Sequence, residues 1–128
     1  MKEEINYAFS NLENAFIKLK EGIDKAKDEL EKDGVIQRFE FTFELFWKAL
    51  KIFLQNSGID TKTPKESLKE AFKIGWLKEE KTFLDMLEDR NKTAHIYDKA
   101  TSEEIFKRIK NNYIQVIAEV LEELRKTQ

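Results

Sequence analysis

The chain has 128 residues, 41% hydrophobic and 38% charged, with 23 basic side chains against 25 acidic for a net charge of -2. That length supplies one domain's core over 1–128, that apolar content excludes a disordered chain, and the charge balance argues against a protein that grips duplex DNA. Four glycines and one proline are too few for the turns of a β-sandwich or barrel, the absence of cysteine excludes disulfides and a thiol nucleophile, and one histidine argues against a metal centre, so no cofactor is expected.

Apolar residues at Ile5, Phe9, Leu12, Phe16, Leu19, Ile23, Ala26 and Leu30 recur in steps of four and three. That seam predicts a long first helix packed nearly parallel to its neighbours, closed at Asp33-Gly34. The second helix is predicted from Val35 to Asn56, where Ser57-Gly58 stops it. One stripe of it is Ile36, Phe39, Phe43, Phe46, Trp47 and Leu50; Phe41, Leu45 and Ile52 fall nearly opposite. A helix with two apolar faces is covered on both, either inside the bundle or by another subunit, and Phe41, Leu45 and Ile52 are the candidate interface.

Thr63 as N-cap, Pro64 at the first helical position and Glu66 three residues after Thr63 predict a capping box and a short helix that Gly75 ends. A fourth helix from about Lys78 should bury Phe83, Leu84 and Leu87 and run to His95. Thr101 and Glu104 are read as the cap of the last helix, whose stripe is Ile105, Ile109, Tyr113, Val116, Val120 and Leu124. The pattern predicts an all-α antiparallel bundle of about five helices. No apolar run approaches the ~20 residues of a membrane span, and the amphipathic segment after Met1-Lys2-Glu3-Glu4 is not a signal peptide. A cytoplasmic protein is expected.

The end of the fourth helix breaks its own pattern. Steps from Leu84 and Leu87 reach Arg90, Asn91 and Ala94, so a cation and an amide stand where the stripe predicts apolar residues. Arg90 and His95 should diverge by about 140° on an ideal helix, and converge only if the helix ends locally or a second subunit completes the site. On spacing alone, Arg90 pairs with a carboxylate and His95 is a helix-end histidine. Tyr97, by the same reasoning, packs its ring over the helix end. Arg38 and Glu44 are further candidates; Arg38 and Thr42 project between the two stripes, where a buried pair fixing helix register is expected. Trp47 and Trp76 read as core.

The segment Arg90-Asn91-Lys92-Thr93-Ala94-His95-Ile96-Tyr97 resembles the Arg-x4-His-x-Tyr motif of HEPN domains of the HepT type. These are toxin partners of small MntA-type nucleotidyltransferases, also described as nucleotidyltransferase substrate-binding proteins. The stretch from Gln37 to Lys48 is similar to the family's other characteristic segment, and so are Pro64 with its helix, the Asp89 lead-in and the Tyr97-Asp98 exit. The resemblance covers nearly the whole chain.

That resemblance implies a metal-independent endoribonuclease whose site is composed across a homodimer. His95 would be the acid/base, since a histidine titrating near neutrality serves either role in the attack of a ribose 2′-OH on phosphorus. Arg90 would clamp the phosphate as the phosphorane gathers charge, and Asn91 would orient the histidine or the phosphate. Tyr97 would accept AMP from the cognate MntA-type nucleotidyltransferase, placing charge and bulk beside His95. This sequence has no glycine-rich nucleotide motif, so the transferase would be the partner. The alternatives are a noncatalytic substrate-binding subunit of a two-component nucleotidyltransferase and a structural helical protein in which the motif is vestigial.

Overall fold

The computed structural model describes residues 2–95 and 98–127, and among them the secondary structure is all helical, in the antiparallel bundle that the sequence predicts. Six α-helices and one π turn are laid out as five rods: α1 (Lys2–Lys25), α2 (Glu29–Asn56), α3 (Pro64–Lys73), α4 (Glu80–Thr93), and a continuous rod of α5 (Lys99–Arg108), the π turn Ile109–Tyr113 and α6 (Ile114–Lys126).

The seam on α1 buries Ile5, Phe9, Leu12, Leu19 and Ile23 as expected, but the helix stops at Lys25 instead of running to Gly34. Asp28 caps a new helix there. Its carboxylate accepts the Glu31 N–H at 2.8 Å, while the Glu31 carboxylate accepts the N–H groups of Lys27 and Asp28 at 3.0 and 3.3 Å. This reciprocal box satisfies N–H groups that a helix start otherwise leaves unpaired, so it outcompetes an apolar seam that runs across it in step. Leu30 consequently lies on α2 and is 81% exposed. Gly34 is an interior residue of α2; the positive φ that marks a glycine stop occurs at Gly58 and Gly75, where the ends of α2 and α3 were expected.

α2 is the centre of the bundle, packed against α1, α3, α4 and α5. Its pairing with α1 is antiparallel. The Thr42 hydroxyl donates to the Ala15 carbonyl at 3.3 Å and to its own helix at Arg38, and Arg38 Nη1 donates to the Lys18 carbonyl at 2.6 Å. Arg38 is therefore an exposed side chain laid over α1 beside Gly22, not half of a buried ion pair. The other face of α2 carries aromatic rings that index its neighbours: Phe46 stacks on Phe83 of α4, and Phe39 on Tyr113 of the π turn, each at 5.7 Å between centroids. Offset stacking of this kind adds orientation to the burial. Trp47 and Trp76 pack against the core. Both faces of α2 are thus largely covered within the chain. Leu45 and Ile52 are half-buried against its core, and Phe41 alone of the three candidate interface residues stays mostly open, at 62% exposure.

Three local expectations are modified. Thr63 caps α3 by accepting the Glu66 N–H at 3.1 Å, with Pro64 next, but the Glu66 carboxylate accepts from Lys62 and not from Thr63. α5 begins at Lys99 because Asp98, not Thr101, is its cap: the Asp98 carboxylate accepts both the N–H and the hydroxyl of Thr101, at 2.7 and 3.0 Å. These bonds hold the Asp98 carboxyl below its usual range. On α4 the buried face is Thr82, Phe83, Met86 and Asp89, with Leu84 and Leu87 half-buried at its edge.

Candidate functional site

The last turn of α4 is closed from within. The Thr93 hydroxyl donates to the Arg90 carbonyl at 2.6 Å, and the His95 N–H donates to the Lys92 carbonyl at 2.9 Å in a tighter turn. The helix thus ends at Thr93, and His95 stands exposed two residues beyond it. This local ending removes the 140° divergence that an unbroken helix would impose. Arg90, Asn91, Ala94 and His95 form one wall of an open groove of about 680 Å³, and Glu40, Phe41 and Glu44 of α2 form the other.

Arg90 is held but not enclosed. Its Nη2 donates to the Glu44 carboxylate and its Nη1 to the Asn91 side-chain oxygen at 3.3 Å. The carboxylate partner expected from spacing is therefore present, and Glu44 also lies 3.6 Å from the Lys48 ammonium. With roughly a third of its side chain open to solvent, at 32%, Arg90 keeps donors available to an anion in the groove. Arg90 and Lys92 also complement the negative end of the α4 dipole. Glu44 has two chemical consequences: it fixes the guanidinium plane, and an incoming phosphate must share or displace it.

The sequence-predicted residues thus separate into groups. Arg90, Asn91, His95 and Phe41 meet at the groove; Leu45 and Ile52 do not line it. Tyr97 lies outside the described residues. Beside the groove is a cluster that sequence reasoning passed over. Asp89, 3% exposed, accepts Arg108 Nε at 2.7 Å, Arg108 Nη2 at 2.9 Å and the Tyr113 hydroxyl at 2.5 Å. Burial, then the bond to the Asp89 carboxylate, pushes the Tyr113 hydroxyl well above its usual range, and the bond to Asp89 does the same for the Arg108 guanidinium. Both remain donors. A carboxylate on the core side of α4 was the signal available in the sequence. No group of three or more histidine, aspartate or glutamate side chains among the described residues converges as metal ligands do.

The fold and the groove define an all-α bundle that presents a cation, an amide and an imidazole at one helix end. The family model described as nucleotidyltransferase substrate binding protein like matches residues 7–126, and the chain belongs to that family. Over 97 residues the chain is 32% identical to the probable ribonuclease HepT of Haemophilus influenzae, a match spanning 72% of this chain and 66%, just under two thirds, of that protein. A crystal structure from Thermus thermophilus superposes with a TM-score of 0.83 at 36% identity, over 89% of this chain and 98% of that one. A structure from H. influenzae, described as revealing the fold of a substrate binding domain of a nucleotidyltransferase, superposes at 0.70 with 26% identity, over 96% of this chain and 98% of that one. The family resemblance read from the two motifs is borne out.

Proposed function

We propose that the chain is a HepT-like HEPN toxin, a metal-independent endoribonuclease neutralised by AMP transfer from a cognate MntA-type nucleotidyltransferase. One observation carries this reading: Arg90, Asn91 and His95 line the same solvent-open groove. Its size and openness suit a phosphodiester strand.

In this mechanism the RNA phosphate lies against the Arg90 guanidinium. His95 takes the proton of the 2′-OH, the 2′-oxygen attacks phosphorus, and Arg90 stabilises the charge of the phosphorane. The bond to the 5′-oxygen then breaks, leaving a 2′,3′-cyclic phosphate, and the departing oxygen needs a proton. Each chain has one histidine, so the donor is His95 of a second copy. Phe41 lines the groove, Leu45 and Ile52 follow it along α2, and a two-fold contact through this face would bring two grooves together. A monomer by sedimentation at micromolar concentration would remove this composite site. The protein would act in the cytoplasm, and no described helix is long and apolar enough to cross a membrane.

In the neutralising step the Tyr97 phenolic oxygen would attack the α-phosphorus of ATP bound to the partner and release pyrophosphate. Incubation with partner and ATP should raise the intact mass by one or more AMP units, and Tyr97→Phe should abolish the gain.

A second reading, a noncatalytic substrate-binding subunit, is favoured by the Glu44 carboxylate that already neutralises Arg90. Expression without the partner separates the two. The nuclease should arrest growth, and His95→Ala and Arg90→Ala should each relieve the arrest. Equal growth of all three strains would leave the noncatalytic reading.

A further inference from the structure

Asp89 and Arg90 are consecutive residues of opposite charge, about 100° apart on α4, that turn to different neighbours. Arg90 lies in the groove, while Asp89 is buried under three donors from the α5–α6 rod. An apolar residue at 89 would bury this face of α4 without the cost of desolvating charge. A bidentate guanidinium and a hydroxyl on one carboxylate instead fix direction as well as depth.

The rod is deformed to supply those donors. Arg108 and Tyr113 are five apart and would diverge by about 140° on an α-helix. Between them lies a π turn, in which the Ile114 N–H reaches the Ile109 carbonyl five residues back. In such a turn residues five apart come close to one face, and both side chains meet at Asp89. Turns of this kind are rare and concentrate at functional sites. Tyr113 does more than bond Asp89. Its ring stacks on Phe39, the residue before Glu40 and Phe41, which line the opposite wall. One side chain therefore touches the anchor of each wall.

We propose that Asp89, Arg108 and Tyr113 form a positioning network that sets the register of the two groove walls, and so the placement of Arg90 against His95. The part of this that concerns catalysis rests on the nuclease reading above; the part that concerns geometry does not.

The test uses full-length ¹⁵N-labelled protein and three variants. Tyr113→Phe keeps the ring and removes one donor, Asp89→Asn removes the charge, and Phe106→Leu loosens a buried part of α5 that supplies no hydrogen bond to Asp89. The Arg90 Nε–H and His95 ring signals should move in the first two and stay at their wild-type positions in the third. Unmoved signals in Tyr113→Phe, or equal movement in Phe106→Leu, would overturn the proposal. If Asp89→Asn does not fold, Tyr113→Phe decides alone. With RNA as substrate, Tyr113→Phe should lower kcat about tenfold and leave KM within about twofold. A wild type without cleavage activity sinks the nuclease reading and leaves the spectroscopic arms to decide the network.

Discussion

Two pairs of residues in this chain are five apart, Arg90 with His95 and Arg108 with Tyr113, and an α-helix would turn both pairs about 140° out of alignment. The bundle resolves the same mismatch in two ways. α4 stops between the first pair, and the freed chain brings His95 round to the groove. The last rod does not stop between the second pair but widens by one π turn, and the two side chains close on Asp89. Ending a helix leaves polar groups facing water, where a ligand can compete for them. Widening it keeps the backbone paired, buries Tyr113 and holds the partly exposed Arg108 on a buried carboxylate. The open solution suits chemistry and the closed one suits fixed geometry, and the boundary between them falls between Asp89 and Arg90.

The sharpest way to break the comparison is to remove each neighbour in turn. Asp89→Ala leaves a guanidinium and a buried hydroxyl without their acceptor and should cost about 3 kcal/mol of stability. Arg90→Ala removes a pair with Glu44 that is about a third exposed and screened by solvent, and should change stability by less than about 0.5 kcal/mol. Urea midpoints at constant slope measure both. Comparable losses for the two would erase the distinction between a structural and a functional face of α4.

Tyr113→Phe isolates the hydroxyl and should cost about 1 kcal/mol near neutral pH. Its sign with pH follows from the raised folded-state value of the Tyr113 hydroxyl. The stabilisation is fully present below the unfolded value of 10.0 and is lost as pH rises beyond it, because the unfolded chain then ionises first. The stability difference between wild type and Tyr113→Phe should therefore be constant from neutrality to pH 10 and shrink above it. A difference that stays constant above pH 10 as well would mean the hydroxyl is not buried against Asp89.

How far the sequence reveals all this differs between the same regions. The groove was legible in part: Arg90 and Asn91 interrupt the expected apolar stripe, which is visible in one dimension, while His95 was singled out by the resemblance of its motif and not by spacing. The cap of α3 was legible because Thr63, Pro64 and Gly75 act on adjacent backbone. The break between α1 and α2 was not, because Ile23, Ala26 and Leu30 keep their spacing straight through it, and only the Asp28–Glu31 box marks it. The Asp89 network was hidden for a different reason. Its donors lie 19 and 24 residues away, and helical periodicity separates them from each other. One trace was present in the steps of four from Ile105 to Ile109 to Tyr113; the structure continues them to Ile117, which is buried where the expected stripe has the partly buried Val116.

Uniform steps of four describe a rod holding one residue more than its α-turns accommodate. Lys110, Asn111 and Asn112 are the exposed residues of the π turn. Deleting Asn111 should let the turn tighten to α geometry while the flanking segments keep their places, since Arg108 and the tyrosine would then be four apart and share a face without widening. The expected change in stability is small, within about 1 kcal/mol, because the lost turn removes no buried side chain. The informative readout is the cost of Tyr→Phe at that tyrosine measured in the deletion background. A cost that persists shows that the π turn accommodates an extra residue around a network fixed by Asp89. A cost that vanishes shows that the widened turn itself creates the convergence, and the two five-residue pairs would then differ in kind as well as in burial.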